Sequence, residues 1–197
     1  MKFIENIEQV SGLYPDYMGF IFYEKSKRNF EGVIPKLPKS IKKTGVFVNE
    51  YLEIVISLVE EYQLEAIQLH GDETVTYTKQ LKTHLPSIEI IKVFGIKDEF
   101  NFDVLTPFLP LVDYFLFDTK GKERGGNGFQ FDWSVLDAYP HKKPFFLSGG
   151  IGLKDVLAIQ KIIDSNLPIY ALDINSKFEI EPGLKNINEV KTFKNKL

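Results

Sequence analysis

Polar side chains able to bind ligands or transfer protons stand where most of the apolar segments of this sequence end. Parallel strands collect such side chains at the carboxyl edge of their sheet, where folds of this kind bind small polar ligands. If the apolar segments are parallel strands, the sequence predicts one polar site built from many segments. The candidates are Ser26, Arg28, Asn49, Gln68, His70, Asp118, Ser148, Gly149, Gly150, Asp173, Asn175 and Ser176.

Three segments late in the chain have the composition of phosphate-binding loops. Glycine lets backbone N–H groups approach an anion closely, and a helix start adds partial positive charge. One glycine loop alone is usually a tight turn, but successive loops after the last strands match the usual phosphate position of barrels. The three segments are Gly125-Gly126-Asn127-Gly128, Ser148-Gly149-Gly150 and Asp173-Ile174-Asn175-Ser176.

Asp118 and His70 are the two candidates for proton transfer. Asp118 ends an apolar run and should face the mouth of the sheet, a placement that suits a general acid. A helix-capping or loop-bracing aspartate is an equally good interpretation of its position. His70 either contacts a ligand or hydrogen-bonds the loop that follows it.

Arg28 and Arg124 are the only arginines among 24 lysines and arginines. The planar guanidinium group matches a carboxylate or phosphate with two parallel hydrogen bonds, which lysine cannot do. Both arginines fall in predicted loops, so they are candidates for anion binding, although chance placement explains them equally well.

Seven short apolar runs must position these residues, and helical patterns separate several of them. The runs are nearly continuous in apolar character, as parallel strands covered on both faces are. Repeated strand–helix units make an open sheet or a closed barrel, and a closed barrel needs eight strands. We therefore predict an α/β fold of the (β/α)8 TIM-barrel type, a single domain over residues 1–197 with its first strand missing. The predicted strands are 17–23, 43–49, 66–70, 88–94, 114–118, 144–148 and 170–174.

Helical spacing of apolar residues predicts helices near the start of the chain and over residues 50–62 and 153–163, with a further helix after Asp72. Asn49 and Asp72 are the candidate N-caps of the second helix and of the helix after residue 72. The segment 32–42 contains two prolines and predicts at most a turn or two of helix.

Composition excludes several classes of protein. The formal net charge of −3 does not fit a nucleic-acid binder, and no apolar run reaches the roughly 20 residues that span a bilayer. The sequence has no cysteine, which excludes disulfides and cysteine-based metal sites. We expect a cytoplasmic enzyme without a bound metal, nucleic-acid partner or membrane.

Taken together, the motifs resemble those of the phosphoribosylanthranilate isomerase family across essentially the whole chain. Asn127 stands where the family usually has threonine, and Lys177 where glycine is common. The ordered set of motifs is much more specific than any one of them. The matching segments are Asp16-Tyr17-Met18-Gly19-Phe20-Ile21-Phe22 with Ser26 and Arg28, Gly45-Val46-Phe47-Val48-Asn49, Gln68-Leu69-His70-Gly71-Asp72-Glu73, Asp118-Thr119 with Gly125-Gly126-Asn127-Gly128 and Phe131-Asp132-Trp133, Leu147-Ser148-Gly149-Gly150-Ile151, and Asp173-Ile174-Asn175-Ser176 with Glu179, Pro182-Gly183 and Lys185.

The resemblance implies an Amadori rearrangement of N-(5-phosphoribosyl)anthranilate in tryptophan biosynthesis, with no cofactor. It makes Asp118 the general acid that protonates the ribose ring oxygen, and it pairs Arg28 with the anthranilate carboxylate. The phosphate would be held by the glycine loops, which include Gly126, Asn127 and Gly128, and by Asn175 and Ser176. His70, Ser148 and Asp173 complete the expected substrate-binding set.

The resemblance also implies a general base that this sequence does not contain. In the family a cysteine ends the first strand within a Cys-Gly-Met motif, and by family spacing Met1 falls on that methionine. We interpret the sequence as starting at an internal methionine and expect its activity to be lost or severely reduced. Seven strands would also leave two open sheet edges, which favour self-association.

Three other interpretations stay open at this point. Indole-glycerol-phosphate synthase is a related phosphate-binding barrel, but it lacks the motif from Gln68 to Glu73 and carries catalytic lysines and glutamates on early strands. A non-catalytic phosphosugar-binding relic would keep the phosphate loops without the base. An open-sheet ligand-binding domain is disfavoured because the phosphate signals cluster on the last strands rather than in the middle of a sheet.

Overall fold

The main sheet has seven parallel strands that lie side by side in the order in which the chain forms them. The computed structural model describes residues 1–97, 99–119 and 131–197. Every predicted strand is present, with ends that differ by at most two residues. The strands are β1 Tyr17–Phe22, β2 Lys42–Phe47, β3 Ala66–Leu69, β4 Glu89–Ile96, β5 Tyr114–Thr119, β6 Phe145–Leu147 and β7 Ile169–Leu172.

Helices and a small hairpin complete the described part of the chain. The α-helices are α1 Ile4–Ser11, α2 Leu52–Tyr62, α3 Val75–His84, α4 Val156–Ile163 and α5 Ile187–Lys194, and the hairpin strands are β8 Glu179–Glu181 and β9 Leu184–Lys185. Four 3₁₀ helices cover Phe102–Phe108, Trp133–Ala138, Leu153–Asp155 and Ser176–Phe178. The sequence analysis did not predict α5, the hairpin or the 3₁₀ helix at Phe102–Phe108.

Alternate residues of each strand pack into two different cores, because successive side chains point to opposite faces of a sheet. One core packs helices against the outer face of the sheet and includes Phe115 and Phe117 of β5. The other is a small cluster on the inner face, to which β5 contributes Leu116 and β6 contributes Phe146. Both faces are covered, which explains the nearly continuous apolar character of the strands.

The sheet curls until side chains of its first and last strands touch. The centroid of the Tyr17 ring of β1 lies 6.3 Å from that of the Tyr170 ring of β7 and 5.1 Å from that of the Phe146 ring of β6. Within the described residues β1 and β7 are not joined by a ladder of backbone hydrogen bonds. The Met1 nitrogen donates to the Gly19 carbonyl beside β1, at 2.6 Å. The predicted fold class, a parallel barrel-type sheet of seven strands, is confirmed.

The two predicted N-caps are wrong. Asn49 has a left-handed backbone (φ 52°), and α2 begins at Leu52 with Tyr51 as its N-cap. For α3 the cap is Thr74, whose hydroxyl accepts a hydrogen bond from the Tyr77 amide. The Asn49 side chain instead accepts a hydrogen bond from the Asp72 amide at 2.7 Å, so it links two loops. No helix forms over residues 32–42, as the prolines predict.

No helix in the described residues is long and apolar enough to cross a membrane.

Candidate active site

Strand register brings three of the predicted site residues to one level at the carboxyl edge of the sheet. Phe117 pairs with Leu147, and Leu147 pairs with Leu172, so the residues that follow them are neighbours. These residues are Asp118, Ser148 and Asp173. Their side chains share the parity of the inner-face core, which directs them into the curled sheet rather than toward the helices.

A cavity of about 460 Å³ is lined by residues at this edge and also by residues of α1, α5 and the segment before β1. Its volume fits a small-molecule ligand. Eleven of the predicted site residues line it. They are Ser26, Arg28, Gln68, His70, Asp118, Ser148, Gly149, Gly150, Asp173, Asn175 and Ser176. Asn49 does not line it, and Gly126, Asn127 and Gly128 lie outside the described residues.

Asp118 and His70 face each other in the cavity. His70 Nε2 lies 3.5 Å from Asp118 Oδ2, and His70 Nδ1 lies 3.0 Å from the Gln68 amide nitrogen. The other Asp118 oxygen, Oδ1, accepts a hydrogen bond from the Thr119 amide at 2.8 Å. The carboxyl group is therefore held on one side by the backbone, while its second oxygen faces the histidine.

Asp173 lines the same cavity and accepts a hydrogen bond from the Ser148 hydroxyl at 2.9 Å. Removal from water raises the pKa of Asp173, the Ser148 hydrogen bond lowers it, and the nearby Asp118 charge raises it, with a net shift upward. The site therefore holds a carboxyl group that keeps its proton more readily than an exposed aspartate.

Gly149 and Gly150 form a turn with positive φ angles of 93° and 66°. This region of backbone conformation costs little only for glycine. At Gly149 a Cβ atom would lie 2.3 Å from the Thr119 hydroxyl and 3.2 Å from Asp118 Oδ1. The position therefore requires glycine because of both its backbone conformation and its contact with the Asp118 segment.

Arg28 forms a bidentate ion pair with Glu179 in this structure. Its Nε lies 2.9 Å and its Nη2 2.7 Å from Glu179 Oε2. Lys185 Nζ lies 3.0 Å from the other oxygen of Glu179 and 2.5 Å from Asn175 Oδ1. We call these four residues the Glu179 cluster. Arg28, Lys185 and Asn175 all line the cavity.

Burial and charge act against each other in the Glu179 cluster. Burial would raise the pKa of Glu179, but the Arg28 hydrogen bonds and the charges of Lys185 and Arg28 outweigh it, so the pKa is lowered. Burial lowers the pKa of Lys185, and Glu179 only partly restores it. Two basic groups share one carboxylate, so the cluster favours an added anion.

A second buried ion pair holds the loop that carries His70. Lys92 Nζ lies 2.9 Å from Glu73 Oε2 and donates to the Gly71 carbonyl at 2.8 Å. Glu73 also accepts hydrogen bonds from the Gly71 amide at 3.0 Å and the Asn49 amide at 2.8 Å. We call these four residues the Glu73 clamp. It fixes the loop after β3 and with it the position of His70.

Sequence reasoning did not assign roles to Glu179, Lys185, Glu73 or Lys92. Glu179, Lys185 and Glu73 lie in motifs that carry the family resemblance. Lys92 had one usable signal: it is a charged residue in the interior of the apolar run 88–94, whereas the run's other charged residue, Glu89, lies near its start. Charged residues are almost never fully buried unless they are paired, so such a lysine predicts a buried partner.

In the described part of the chain, no three histidine, aspartate or glutamate residues are arranged to hold a metal ion.

Fold and site together define a barrel-type α/β protein with a cavity lined by polar and cationic side chains at the carboxyl edge of its parallel strands. Residues 2–196 match the family described as PRAI, N-(5'phosphoribosyl)anthranilate (PRA) isomerase. The chain belongs to this family.

Relatives and solved structures agree with this assignment. The chain is 40% identical to the N-(5'-phosphoribosyl)anthranilate isomerase of Parabacteroides distasonis, over 98% of this chain and 88% of the relative. Its structure is similar to phosphoribosyl anthranilate isomerase from Thermotoga maritima, with a TM-score of 0.84 and 29% identity over 100% and 94% of the two chains. It is also similar to an isomerase in complex with reduced 1-(o-carboxyphenylamino)-1-deoxyribulose 5-phosphate, with a TM-score of 0.76 and 28% identity over 96% and 92%.

Proposed function

We propose that the protein catalyses the Amadori rearrangement of N-(5'-phosphoribosyl)anthranilate to 1-(2-carboxyphenylamino)-1-deoxyribulose 5-phosphate, a step of tryptophan biosynthesis. Family membership and the names of the relatives support this activity. The observation that carries it is the shared cavity, in which Asp118 faces His70 beside the Gly149–Gly150 turn and the Glu179 cluster. A phosphorylated sugar that carries a benzoate has the acid-labile ring oxygen and the two anionic ends that such a site would bind.

In this proposal Asp118 protonates the ribose ring oxygen and opens the ring. Its Oδ2 faces His70 and the cavity, which leaves that oxygen directed toward a ligand. Gly149, Gly150, Asn175 and Ser176 would bind the phosphate, and Arg28 the anthranilate carboxylate. Binding the two ends of the ligand orients the reacting atoms, which lowers the barrier by several kcal/mol in well-oriented systems, up to about 7–11 kcal/mol.

Asp118→Asn tests the proposed acid. We expect turnover of N-(5'-phosphoribosyl)anthranilate to fall about 10²- to 10⁴-fold, the usual contribution of a general acid. Affinity for the reduced product analogue should stay within a few-fold, because the amide keeps the shape of the side chain. The matched control is Asp137→Asn, an exposed aspartate that does not line the cavity. Equal turnover by Asp118→Asn and the parent would overturn the role.

The rearrangement also needs a group that accepts a proton from the sugar carbon next to the nitrogen-bearing carbon. The sequence contains no cysteine, the residue to which the resemblance assigns the general base. We therefore propose that a polypeptide of these residues turns over the substrate much more slowly than the Parabacteroides relative does. Parallel assays of the two proteins measure the difference, and equal rates would show that a thiol base is not required.

The absence of cysteine from the sequence also favours a second candidate, a protein that binds a phosphorylated sugar without catalysis. Product formation above the uncatalysed rate distinguishes the two candidates, because binding alone does not form product. Slow turnover by this chain that is lost in Asp118→Asn supports the isomerase, and no turnover by either supports the binding protein.

We further propose that the chain associates with itself through its open sheet edges, β1 and β7. Unpaired backbone groups on an edge strand can pair with another chain. Sedimentation velocity over a range of concentrations measures this association, and a monomer at every concentration would contradict it. The cytoplasmic location expected from the sequence also stays a prediction.

A further inference from the structure

Glu179 joins two cations that both line the cavity, although its own side chain is only 4% exposed. Arg28 donates to it through Nε and Nη2, and Lys185 through Nζ. The Gly183 amide, in the turn of the hairpin, donates to Oε1 at 3.1 Å. The backbone of its own hairpin therefore helps to hold the Glu179 carboxylate in place, in addition to the two cations.

The ion pair uses one side of the Arg28 guanidinium group. The hydrogen bonds to Glu179 come from Nε and Nη2, and Nη1 takes part in none of them. A guanidinium group has five N–H donors in a rigid fork, so the edge formed by Nη1 and Nη2 can hold a second carboxylate while Nε and Nη2 hold the first. Fixing the first carboxylate fixes the plane in which the second must lie.

Glu179 also connects Arg28 to the loop after β7. Lys185 Nζ bonds both Glu179 and Asn175 Oδ1, and Asn175 precedes Ser176 in the proposed phosphate loop. The side chain that would bind the benzoate end and the loop that would bind the phosphate end are thus braced by one carboxylate. The sequence separation of 151 residues between Arg28 and Glu179 shows that the brace joins distant parts of the chain.

We propose that Glu179 is a positioning residue that determines carboxylate recognition: it sets the plane of the Arg28 guanidinium so that its Nη1–Nη2 edge meets the aryl carboxylate of the ligand. The inference rests on the proposed function, because it takes the ligand to be a phosphorylated sugar that carries a benzoate. It is distinct from that function because an isomerase whose arginine orients itself would not need Glu179.

Glu179→Gln tests this with two ligands in calorimetric binding experiments. One is the reduced product analogue, which carries the carboxylate, and the other is the same phenylamino-deoxyribitol phosphate without it. We expect the variant to bind the first ligand about 10- to 100-fold more weakly, as loss of charge-assisted hydrogen bonds implies, and the second within about 3-fold. Glu181→Gln, an exposed glutamate of the same hairpin, is the matched control and should bind both ligands as the parent does.

Arg28→Lys sharpens the test because lysine keeps the charge and loses the fork. In an Arg28→Lys background, Glu179→Gln should add little further loss for the carboxylate ligand. A full second loss in the double variant would mean that Glu179 acts without Arg28 and would overturn the inference.

The remaining outcomes separate this inference from the proposed function. If the parent binds both ligands and Glu179→Gln weakens both equally, or neither, the inference fails while the function stands. If the parent binds neither ligand, the proposed function fails and the inference fails with it. Should Glu179→Gln not fold, Glu179→Asp decides: its charge stays but its oxygens retract, so selectivity between the ligands must fall, and unchanged selectivity overturns the inference.

Discussion

The Glu73 clamp and the Glu179 cluster use the same chemistry for different ends. In each, a buried glutamate accepts from a backbone amide and from a nearby cation. In the clamp, Lys92 donates to the Gly71 and Leu69 carbonyls and to Glu73, all within the scaffold. In the cluster, Arg28 and Lys185 share one carboxylate and border the cavity. We infer that a buried ion pair stabilises the fold when the N–H groups of its cation are bonded to backbone carbonyls. Such a pair can also bind a ligand when some N–H groups of its cation point into a cavity.

Substitution in the clamp should therefore cost stability, and substitution in the cluster should cost binding. The largest effect is expected for Lys92→Met, which leaves Glu73 buried without its cation. We expect the free energy of unfolding in urea to fall by about 3–5 kcal/mol, the usual cost of breaking a buried pair. Both side chains are at most 3% exposed, so water cannot replace the lost partner.

Lys82→Met is the control for this prediction. Lys82 pairs with Asp113 at 3.1 Å, but the two side chains are 31% and 36% exposed. A pair of this kind contributes about 0–1 kcal/mol. Equal losses in Lys92→Met and Lys82→Met would mean that burial does not separate the two pairs, and the comparison would fail.

Gly149→Ala should lower both stability and turnover, because Gly149 lines the cavity and its backbone packs against the Asp118–Thr119 segment. Its φ of 93° disfavours alanine, and the added Cβ would lie 2.3 Å from the Thr119 hydroxyl and close to Asp118. We expect a loss of about 2–4 kcal/mol in the free energy of unfolding, from strain and overpacking together, and a further loss of turnover in the fraction that stays folded.

Gly32→Ala separates the two causes. Gly32 also has a positive φ, 135°, but no atom lies within 4 Å of the added Cβ. It should lose only the strain, about 1–2 kcal/mol, and keep full turnover. If Gly149→Ala lost no more stability and no more turnover than Gly32→Ala, the close approach of Gly149 to Asp118 would not matter for function.

The sequence predicts the strands and the polar residues at their ends because both depend on local patterns. Apolar runs identify the strands, and pairing of one strand with the next then brings Asp118, Ser148 and Asp173 together. The partners of charged residues are harder to predict because they depend on contacts across the chain. Arg28, for example, binds the carboxylate of Glu179, which is 151 residues further along the chain.

The wrong N-caps have a similar cause. Asn49 has the side chain of a good N-cap, but its backbone N–H donates to the Glu73 carboxylate and its side-chain oxygen accepts from the Asp72 backbone N–H. These tertiary contacts favour a left-handed backbone at Asn49, and α2 begins three residues later. Local capping preference is a matter of about 1 kcal/mol, which two such hydrogen bonds can offset.

The smallest effect concerns Asp173, which shares the ligand-facing side with the Glu179 cluster but has no cation bonded to it in the described residues. Removal from water raises its pKa, so the folded protein holds this proton at a pH where the unfolded chain has lost it. Stability must therefore fall as the pH rises from the unfolded value of 3.8 through the raised folded value. Asp173→Asn removes this dependence.

Urea unfolding of the parent and Asp173→Asn between about pH 4 and about pH 8 measures the change. The stability of the variant relative to the parent should rise with pH and then level off. Asp132→Asn is the control, because backbone and side-chain hydrogen bonds from Ser134 lower the pKa of exposed Asp132 from 3.8. Any stability linked to that carboxyl group changes only below about pH 4, so the relative stability of this variant should stay level over the measured range. A flat or falling difference for Asp173→Asn would show that its carboxyl group is ionised like an exposed one, and Asp173 would then resemble Glu179 despite lacking a bonded cation.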